Sequence, residues 1–235
     1  LMTEDAKMSN YYYCLNTDPN DRKDYKSLKK TGKYCIKTLF QIKELQNERE
    51  KKDAIVKLQA QKAIKIAKEL GCDSVIVHNG YIPRTYSKAS WVRRATLFWQ
   101  EFFADKDDSI TMMVENQFED NSEIMLEEID SVHDKRLKVC LDVGHAHCNG
   151  DMPVYDWIKT LGKRIGYMHL HNNHGKYNPK VENWDEHNGF DNGTIDFKKL
   201  IKLVKQHCPK AILAVETHFE GAESGLEFLK KNTIK

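Results

Sequence analysis

The sequence has little that would divide the chain or anchor it in a membrane. It contains five prolines and no Pro-, Gly- or Ser-rich linker among its 235 residues, so we expect a single domain. Its longest unbroken apolar runs are five residues, whereas a membrane-spanning helix needs about 20. No stretch at its start has the order of residues that is typical of a secretory signal. We therefore expect a cytoplasmic protein that does not act in a membrane.

Disulfide bonds are also not expected. The six cysteines are scattered along the chain without a Cys-x-x-Cys pair. A chain of this length buries enough core to fold without covalent cross-links. We interpret the cysteines as reduced thiols that mostly pack in the interior, which agrees with a cytoplasmic location.

The chain lacks an excess of either charge. Its 37 Lys and Arg against 35 Asp and Glu give a net charge of +2, and this balance disfavours proteins that coat nucleic acid or lie on membranes, because both need a basic field. A local basic surface stays open as an alternative to an ordinary solvated helix face. Its cations and interleaved aromatics are Arg84, Lys88, Arg93, Arg94, Tyr81, Tyr86 and Trp91.

Short apolar strands alternate with amphipathic helices along the chain. One helical face carries Ala60, Ala63, Ile64, Ala67 and Leu70. Gly71 suits the end of that helix, and a β-branched run follows it. Another helix is predicted to begin at the capping residue Asp196. The predicted strands are 10–15, 74–78, 110–114, 137–141, 165–170 and 211–215.

This alternation predicts an α/β fold with a parallel sheet, and we expect a (β/α)8 TIM barrel spanning 1–235. The chain opens on Leu1, so the N-terminal unit is expected to be incomplete or irregular. About six strands are evident, and a barrel of this kind has eight. We expect the others at 175–192 and either within 33–45 or before the first residue.

Five of the predicted strands end on an imidazole or a carboxylate, namely His78, Glu115, Asp142, His169 and Glu216. In a β/α barrel the carboxyl ends of the strands meet at one mouth, which is where active sites lie. Each of these residues alone has an ordinary explanation as a loop residue or a hydrogen-bonded core residue. Because carboxylates gathered without a cation repel one another, the set predicts a divalent metal site. Mn, Mg, Zn and Co all stay open.

A second polar cluster follows later in the chain. Asp185 and His187 are two residues apart, so both face one ligand if the backbone is extended. Taken alone, the cluster is explained slightly better as a polar loop that precedes a helix. His145 comes three residues after Asp142 and is a further candidate for the same mouth.

Several segments, in this order, resemble the motifs of the xylose-isomerase-like TIM-barrel superfamily. They are Val114-Glu-Asn116, Leu141-Asp-Val-Gly-His145, Met168-His-Leu-His-Asn-Asn173, Asp185-Glu-His187 with Gly193-Thr-Ile-Asp-Phe197, and Val215-Glu-Thr217. That superfamily holds sugar phosphate isomerases and epimerases together with endonuclease-IV-like apurinic-site nucleases. The resemblance covers residues 60–231 and is weak before them. The stretch 174–185 is longer than is usual in the family, which implies a distinctive loop over the mouth.

The resemblance implies roles for individual residues. Glu115, Asp142, His169 and Glu216 correspond to the ligands of the metal shared by both branches. Glu115 and Glu216 are similar to the acid/base pair of the epimerases, and His145 to a residue that contacts substrate. His78, Asp185 and His187 correspond to additional ligands in the nucleases, and to substrate-binding residues in the isomerase interpretation.

Three functional interpretations follow from these residues. The first is a metal-dependent isomerase or epimerase of a sugar, sugar phosphate or related keto or hydroxy compound. Trp91, Trp99 or Trp184 would supply an apolar wall against the sugar ring, although core or surface packing is the better explanation for any one of them. The second is a multinuclear phosphodiesterase acting on abasic-site DNA. The third is a barrel that binds metal or sugar without turnover. The charge balance favours the first, with a small carbohydrate as its partner, and a homo-oligomer stays open.

Overall fold

The computed structural model describes residues 11–16, 35–38, 49–104, 110–176 and 185–233. Its strands are β1 (Tyr11–Asn16), β2 (Cys35–Thr38), β3 (Ser74–His78), β4 (Thr111–Glu115), β5 (Leu137–Asp142), β6 (Ile165–Leu170) and β7 (Ile212–Val215). Its helices are α1 (Arg49–Leu70), α2 (Lys88–Phe103), α3 (Glu123–Val132), α4 (Val143–Asn149), α5 (Val154–Leu161), α6 (Phe197–His207) and α7 (Phe219–Thr233). A single 3₁₀ turn, Gly162–Arg164, precedes β6.

The strands form a closed, all-parallel barrel. Neighbouring strands pair in sequence order, and β1 pairs with β7 to close the ring. The TIM-barrel prediction is confirmed, and β2 lies within the interval 33–45 where a strand was expected. The part of the chain that the structure describes contributes seven strands to this ring.

The stretch 175–192 does not supply a strand between β6 and β7, because these two strands pair directly. Its described residues make one isolated antiparallel bridge, between Asn172 and Asn188. The prediction of a barrel strand there was wrong. The stretch is rich in polar residues and has no apolar run that could be buried on both faces of a sheet.

Side chains alternate between the barrel interior and the layer against the helices. The interior cluster consists of Ile76, Met113, Cys140, Tyr167 and Ala214, with Ile212 packed against it. The residue two positions after each of the five buried residues faces the same axis, because side chains in a strand alternate with period two. Those next positions are His78, Glu115, Asp142, His169 and Glu216. Alternation therefore places all five candidates on top of the apolar interior.

A bulge between β5 and β6 sets the register of the candidate residues. Val139 pairs with Ile165 and Cys140 with Tyr167, so Gly166 is the extra residue. A Cβ at Gly166 would lie 2.8 Å from Lys138 Cδ, so that flexible side chain would have to shift to admit a larger residue. After the bulge Asp142 stands directly opposite His169.

The helical layer follows the predictions at most boundaries. The helix α1 ends at Leu70, and Gly71 has φ 74°, as expected of a C-terminal glycine. The side chain of Asp196 accepts a hydrogen bond from the backbone amide of Lys199 and caps α6. In the described part of the chain, no helix is both long enough and apolar enough to cross a bilayer.

Candidate metal centre

Four strand-end side chains converge at the barrel mouth. Ligand atoms of Glu115, Asp142, His169 and Glu216 all lie within 4.8 Å of one another. The side chains of Glu115, Asp142 and His169 are fully buried, and that of Glu216 is 9% exposed. Glu216 therefore forms the side of the cluster that faces the mouth.

The imidazole of His169 is central to this cluster. Its Nδ1 lies 3.1 Å from Glu115 Oε1, 3.7 Å from Asp142 Oδ2 and 2.7 Å from Glu216 Oε2. One imidazole nitrogen and three carboxylates are a donor set that suits Mn²⁺, Zn²⁺ and Co²⁺. Asp142 Oδ2 is buried and makes no hydrogen bond with the described residues. Such a donor set fits a divalent cation, which would offset the repulsion between the carboxylates.

Asp142 is held in place by three neighbours. Its backbone N–H donates to Asn116 Oδ1 at 2.8 Å, and its carbonyl accepts from Asn116 Nδ2 at 3.0 Å. Its Oδ1 accepts from the backbone amide of His145 at 2.8 Å and from His171 Nε2 at 3.0 Å. These bonds fix Oδ1 and leave Oδ2 directed at the cluster.

The protonation of Asp142 reflects two opposing effects. Burial disfavours its charged form, but the neighbouring imidazoles of His145 and His171 outweigh burial and hold its pKa well below the usual value. The carboxylate is therefore ionised in the folded protein and suited to bind a cation.

His145 links the first cluster to a second one. Its Nδ1 donates to the carbonyl of Asn116 at 2.9 Å, which fixes the ring, and its Nε2 lies 3.2 Å from Asp185 Oδ2. Burial lowers the pKa of His145, but the carboxylates of Asp142 and Asp185 raise it to about 10. These carboxylates therefore favour the protonated form of the ring.

The second cluster comprises His145, His171, Asp185 and His187, whose ligand atoms also lie within 4.8 Å of one another. His187 Nδ1 donates to the carbonyl of Glu216 at 2.8 Å, and its Nε2 lies 3.2 Å from Asp185 Oδ2. Burial opposes ionisation of Asp185, yet the two imidazoles lower the pKa of this carboxyl. Burial lowers the pKa of His187, but Asp185 raises it to about 9. The structure thus brings Asp185 and His187 to the mouth.

His171 is the site residue that the sequence analysis missed. Its buried ring lies against Gly144, where a Cβ would be 1.9 Å from His171 Cε1. It also stacks on His187, with ring centroids 4.0 Å apart. Its spacing could have revealed it, because a residue two positions after His169 lies on the same face of an extended chain.

His78 lies beside the first cluster and outside the group of four. Its Nε2 is 3.5 Å from Glu115 Oε2, whereas Glu115 Oε1 faces His169. The two oxygens of Glu115 are therefore directed at different imidazoles. His78 lies where it could contact a ligand bound over Glu115, as its predicted role requires.

Two of the three tryptophans considered for an apolar wall lie in the helical layer. Trp91 and Trp99 are 7% exposed and lie on the inner face of α2. Trp99 Nε1 donates to Glu128 Oε1 at 3.0 Å. Packing is therefore the correct interpretation for both residues, because aromatic side chains at helical spacing form the packing face of α2. Trp184 lies outside the described residues.

The predicted basic surface is partly neutralised. Lys88 Nζ lies 2.9 Å from both Glu123 and Glu127, and Arg94 stacks over the ring of Tyr86 at 5.5 Å. Arg84 and Arg93 are exposed. Two of the four cations are thus engaged within the protein, which weakens the case for a DNA-binding surface.

The model of the xylose isomerase-like TIM barrel family matches residues 22–232. The chain belongs to this family. A relative, the uncharacterised protein MJ1311 of Methanocaldococcus jannaschii, is 27% identical over 183 residues. This match covers 72% of this chain and 59% of that protein. The chain therefore spans less than two thirds of the length of the curated relative it matches.

Solved structures of low sequence identity share the fold of this xylose isomerase-like barrel. A D-tagatose 3-epimerase-like protein has a TM-score of 0.72 at 22% identity, covering 94% of this chain and 86% of the other. The IolI protein with a bound zinc atom has a TM-score of 0.73 at 14% identity, covering 95% and 88%. D-allulose 3-epimerase from Methylomonas sp., in complex with D-allulose, has a TM-score of 0.68 at 15% identity, covering 96% and 87%.

Proposed function

We propose that this protein is a metal-dependent isomerase or epimerase that moves a proton next to the carbonyl group of a small carbohydrate. The observation that carries the proposal is the convergence of Glu115 and Glu216, from opposite parts of the ring, on one imidazole and one further carboxylate. Membership of the xylose isomerase-like family and the fold shared with sugar epimerases support it.

Glu115, Asp142, His169 and Glu216 would hold the divalent cation. A bound cation supplies Lewis-acid polarisation of a carbonyl oxygen, which makes the neighbouring C–H more acidic. The four side chains come from four different strands, so their relative positions depend on the barrel and not on a flexible loop.

Glu115 and Glu216 would act as the pair that takes and returns the proton. A carboxylate on each side of the reacting carbon allows removal from one face and return to the other, which inverts the centre. Glu216 is the more exposed of the two and would meet the substrate first. The Nδ1–H of His145 is engaged by the carbonyl of Asn116, and its Nε2 lies beside Asp185. His145 would hydrogen-bond a substrate oxygen through Nε2.

Exchange of substrate hydrogen with solvent tests this function. Purified protein is loaded with Mn²⁺, Co²⁺ or Zn²⁺ and incubated in D₂O with a panel of ketohexoses, pentuloses and their phosphates. NMR is expected to show deuterium at a carbon next to the carbonyl of at least one sugar. Excess chelator should stop the exchange, and added metal should restore it.

Two variants sharpen the test. Glu115→Gln removes one proton acceptor and should reduce exchange by at least about 100-fold, the lower range for a general base. Glu127→Gln alters an exposed carboxylate on α3 and should leave exchange unchanged. Exchange that survives the chelator, or equal rates in both variants, would contradict the proposal.

A second function is favoured by one observation, the additional cluster of His145, His171, Asp185 and His187 beside the first. Asp142 reaches both clusters, since Oδ2 faces His169 and Oδ1 contacts His171. Neighbouring metal ions that share a carboxylate are suited to activate water for phosphodiester hydrolysis. Chelator-sensitive cutting of duplex DNA at an abasic site, without sugar exchange, would establish this function in place of the first.

A further inference from the structure

A thiol lies directly beneath the four-ligand cluster. Cys140 is fully buried on β5 and is the inward-facing residue that precedes Asp142. In the sheet register it stands opposite Glu115 on β4. Its Sγ, a carboxylate oxygen of Glu115 and a ring nitrogen of His169 all lie within 4.8 Å of one another. Sulfur, oxygen and nitrogen donors thus meet one layer below the mouth.

The four-ligand cluster at the strand ends is the upper group, and Glu115, Cys140 and His169 are the lower group. The two groups share two of their members. Glu115 and His169 belong to both, whereas Asp142 and Glu216 belong only to the upper group and Cys140 only to the lower one. A cation that moves toward Cys140 therefore keeps two ligands and exchanges oxygen donors for sulfur.

The donor types of the two groups select different metals. Thiolate is a soft ligand that favours Zn²⁺ and related ions, whereas carboxylate-rich sets suit Mg²⁺ and Mn²⁺. Zn²⁺ binds sulfur at about 2.3 Å and histidine nitrogen at about 2.0–2.1 Å in tetrahedral sites. Binding requires the thiolate, so the thiol proton of Cys140 leaves to solvent as the bond to the metal forms.

The surroundings of the lower group separate it from a substrate. Cys140 packs with Ile76, Met113, Tyr167 and Ala214 in the apolar interior of the barrel. Glu216, which faces the mouth, is not part of the lower group. A metal held by sulfur would therefore lie deeper than one held by the four strand-end residues.

We propose that Cys140, Glu115 and His169 form a thiolate-containing zinc position beneath the carboxylate-rich one. The barrel then has two alternative positions for a single ion, an upper one for oxygen-preferring metals and a lower one for zinc. This inference rests on the proposed function only in taking the upper cluster as the catalytic metal site.

Cobalt spectroscopy tests the lower position without any assay of turnover. Cobalt(II) bound to a thiolate has a sulfur-to-cobalt charge-transfer band in the near ultraviolet, which oxygen and nitrogen ligands do not produce. Cobalt-loaded wild-type protein should show this band, and Cys140→Ser and Cys140→Ala should both lose it. Cys208→Ser, which alters a buried thiol at the end of α6, is the matched control and should keep it.

Competition with a chromophoric chelator gives the second readout. Cys140→Ser should weaken Zn²⁺ binding by at least about tenfold, as expected for a lost metal-site interaction, and change Mn²⁺ binding by less than about twofold. Circular dichroism confirms that each variant is folded, and the wild-type cobalt spectrum tests the proposal even if a variant does not fold. Absence of the band at saturating cobalt, or its persistence in both Cys140 variants, would overturn the lower position.

These outcomes separate the two proposals. Sugar exchange without a charge-transfer band would leave the isomerase function standing and remove the zinc position. A charge-transfer band that depends on Cys140 would establish the zinc position. If the same protein showed no sugar exchange, or cut abasic-site DNA instead of exchanging sugar hydrogen, the isomerase function would be removed.

Discussion

Gly144 shows how one residue supports two clusters at once. The ring of His171 occupies the space that a Cβ at Gly144 would need. That ring donates to Asp142 Oδ1 and stacks on His187, so it touches a member of each cluster. The Asp-Val-Gly-His segment therefore makes three contributions within four residues. Asp142 is a candidate metal ligand, Gly144 leaves space for the ring of His171, and His145 is itself a member of the second cluster.

We expect Gly144→Ala to displace His171 and weaken metal binding. The added methyl group has no room, and overpacking of this kind costs about 1–3 kcal/mol. Isothermal titration of metal into the variant should show a loss of affinity, together with a lower melting temperature. Gly225→Ala on α7 is the control for crowding away from the two clusters, because its added Cβ also meets a side-chain methyl, that of Val215, at 3.0 Å. Equal metal affinity in Gly144→Ala and wild type would contradict this role of His171.

Asn116 is a positioning residue for Asp142 and His145. Its side-chain amide bonds both the N–H and the carbonyl of Asp142, and its own carbonyl accepts from His145 Nδ1. Both of its side-chain amide atoms are engaged by the backbone of Asp142. Its action on a metal would therefore pass through the orientation of these two residues.

Replacing Asn116 with Leu keeps the branched shape of the side chain and removes both side-chain hydrogen bonds. We expect metal affinity to fall about 10- to 100-fold, the range for residues that orient metal ligands. A metal titration with a shift in the Co²⁺ spectrum would separate this effect from simple destabilisation. Asn149→Leu, which removes an amide bond to the carbonyl of Gln117, should leave the spectrum unchanged. An unaltered affinity in Asn116→Leu would show that Asp142 needs no such support.

At this scale the sequence predicted the site well where strand periodicity applies. Glu115, Asp142, His169 and Glu216 follow apolar strands, so their convergence follows from parallel pairing. The sequence does not single out His171, because it lies one residue beyond the end of β6 and its neighbour His169 is better placed within the strand. The contact of its ring with Gly144 depends on three-dimensional packing that spacing alone does not specify.

At the scale of elements, α2 and α3 pack around a buried carboxyl group. Glu128 on α3 is 1% exposed and accepts a hydrogen bond from Trp99 on α2. Burial, together with the nearby carboxyl of Glu119, raises the pKa of Glu128 to about 8. The interface between the two helices therefore holds a neutral glutamic acid at physiological pH.

This raised pKa makes stability depend on pH in a defined direction. The folded state binds a proton at Glu128 up to pH of about 8, whereas the unfolded chain releases it near pH of about 4.3. The contribution of this group is therefore complete below the lower value and is lost as the pH rises through the upper one.

We expect Glu128→Gln, which is neutral at every pH, to remove this decline. Urea unfolding at pH 5 and pH 8.5 should show a larger gain in the free energy of unfolding at pH 8.5. The exposed Glu127→Gln on the same helix should show no such difference between the two pH values. A gain from Glu128→Gln that is the same at both pH values would mean that Glu128 is already ionised in the folded protein.

The helix α2 was not predicted from the sequence, and the reason is physical. Its buried face is formed by Trp91, Trp99, Phe102 and Phe103, with basic residues between them. The same mixture of aromatic and basic residues is typical of surfaces that bind nucleic acid or sugar rings. Only packing against α3 distinguishes a core face from a binding face, and that contact joins residues distant in sequence.

At the scale of the whole molecule, closure of the ring creates the site. β1 pairs with β7, so the ends of β4 and β7, which are three strands apart in the chain order, face each other across the interior. An open sheet of the same strands would leave Glu115 and Glu216 at separate points along one edge. The barrel was predictable from the alternation of elements. The bounds of each strand in the ring were not, because β2 has only four residues and gives a weak pattern in the sequence.

The same closure gathers three carboxylates in a nearly solvent-free space. Ionised side chains at Glu115, Asp142 and Glu216 repel one another there, and the imidazole of His169 cannot neutralise all three. A divalent cation would resolve this conflict, and its binding would stabilise the folded barrel. A metal at this position is therefore the central claim about the molecule.

The metal content of the purified protein tests that claim most directly. Wild-type protein and Glu216→Gln are dialysed against Mn²⁺, which the carboxylate-rich upper cluster prefers to the thiolate position, freed of loosely bound ions and analysed by mass spectrometry of the elements. We predict at least one tightly bound divalent ion per wild-type chain, with a loss of about one ion per chain in the folded Glu216→Gln variant. A wild-type protein that retains no ion, or a variant that retains the full wild-type amount, would contradict the account.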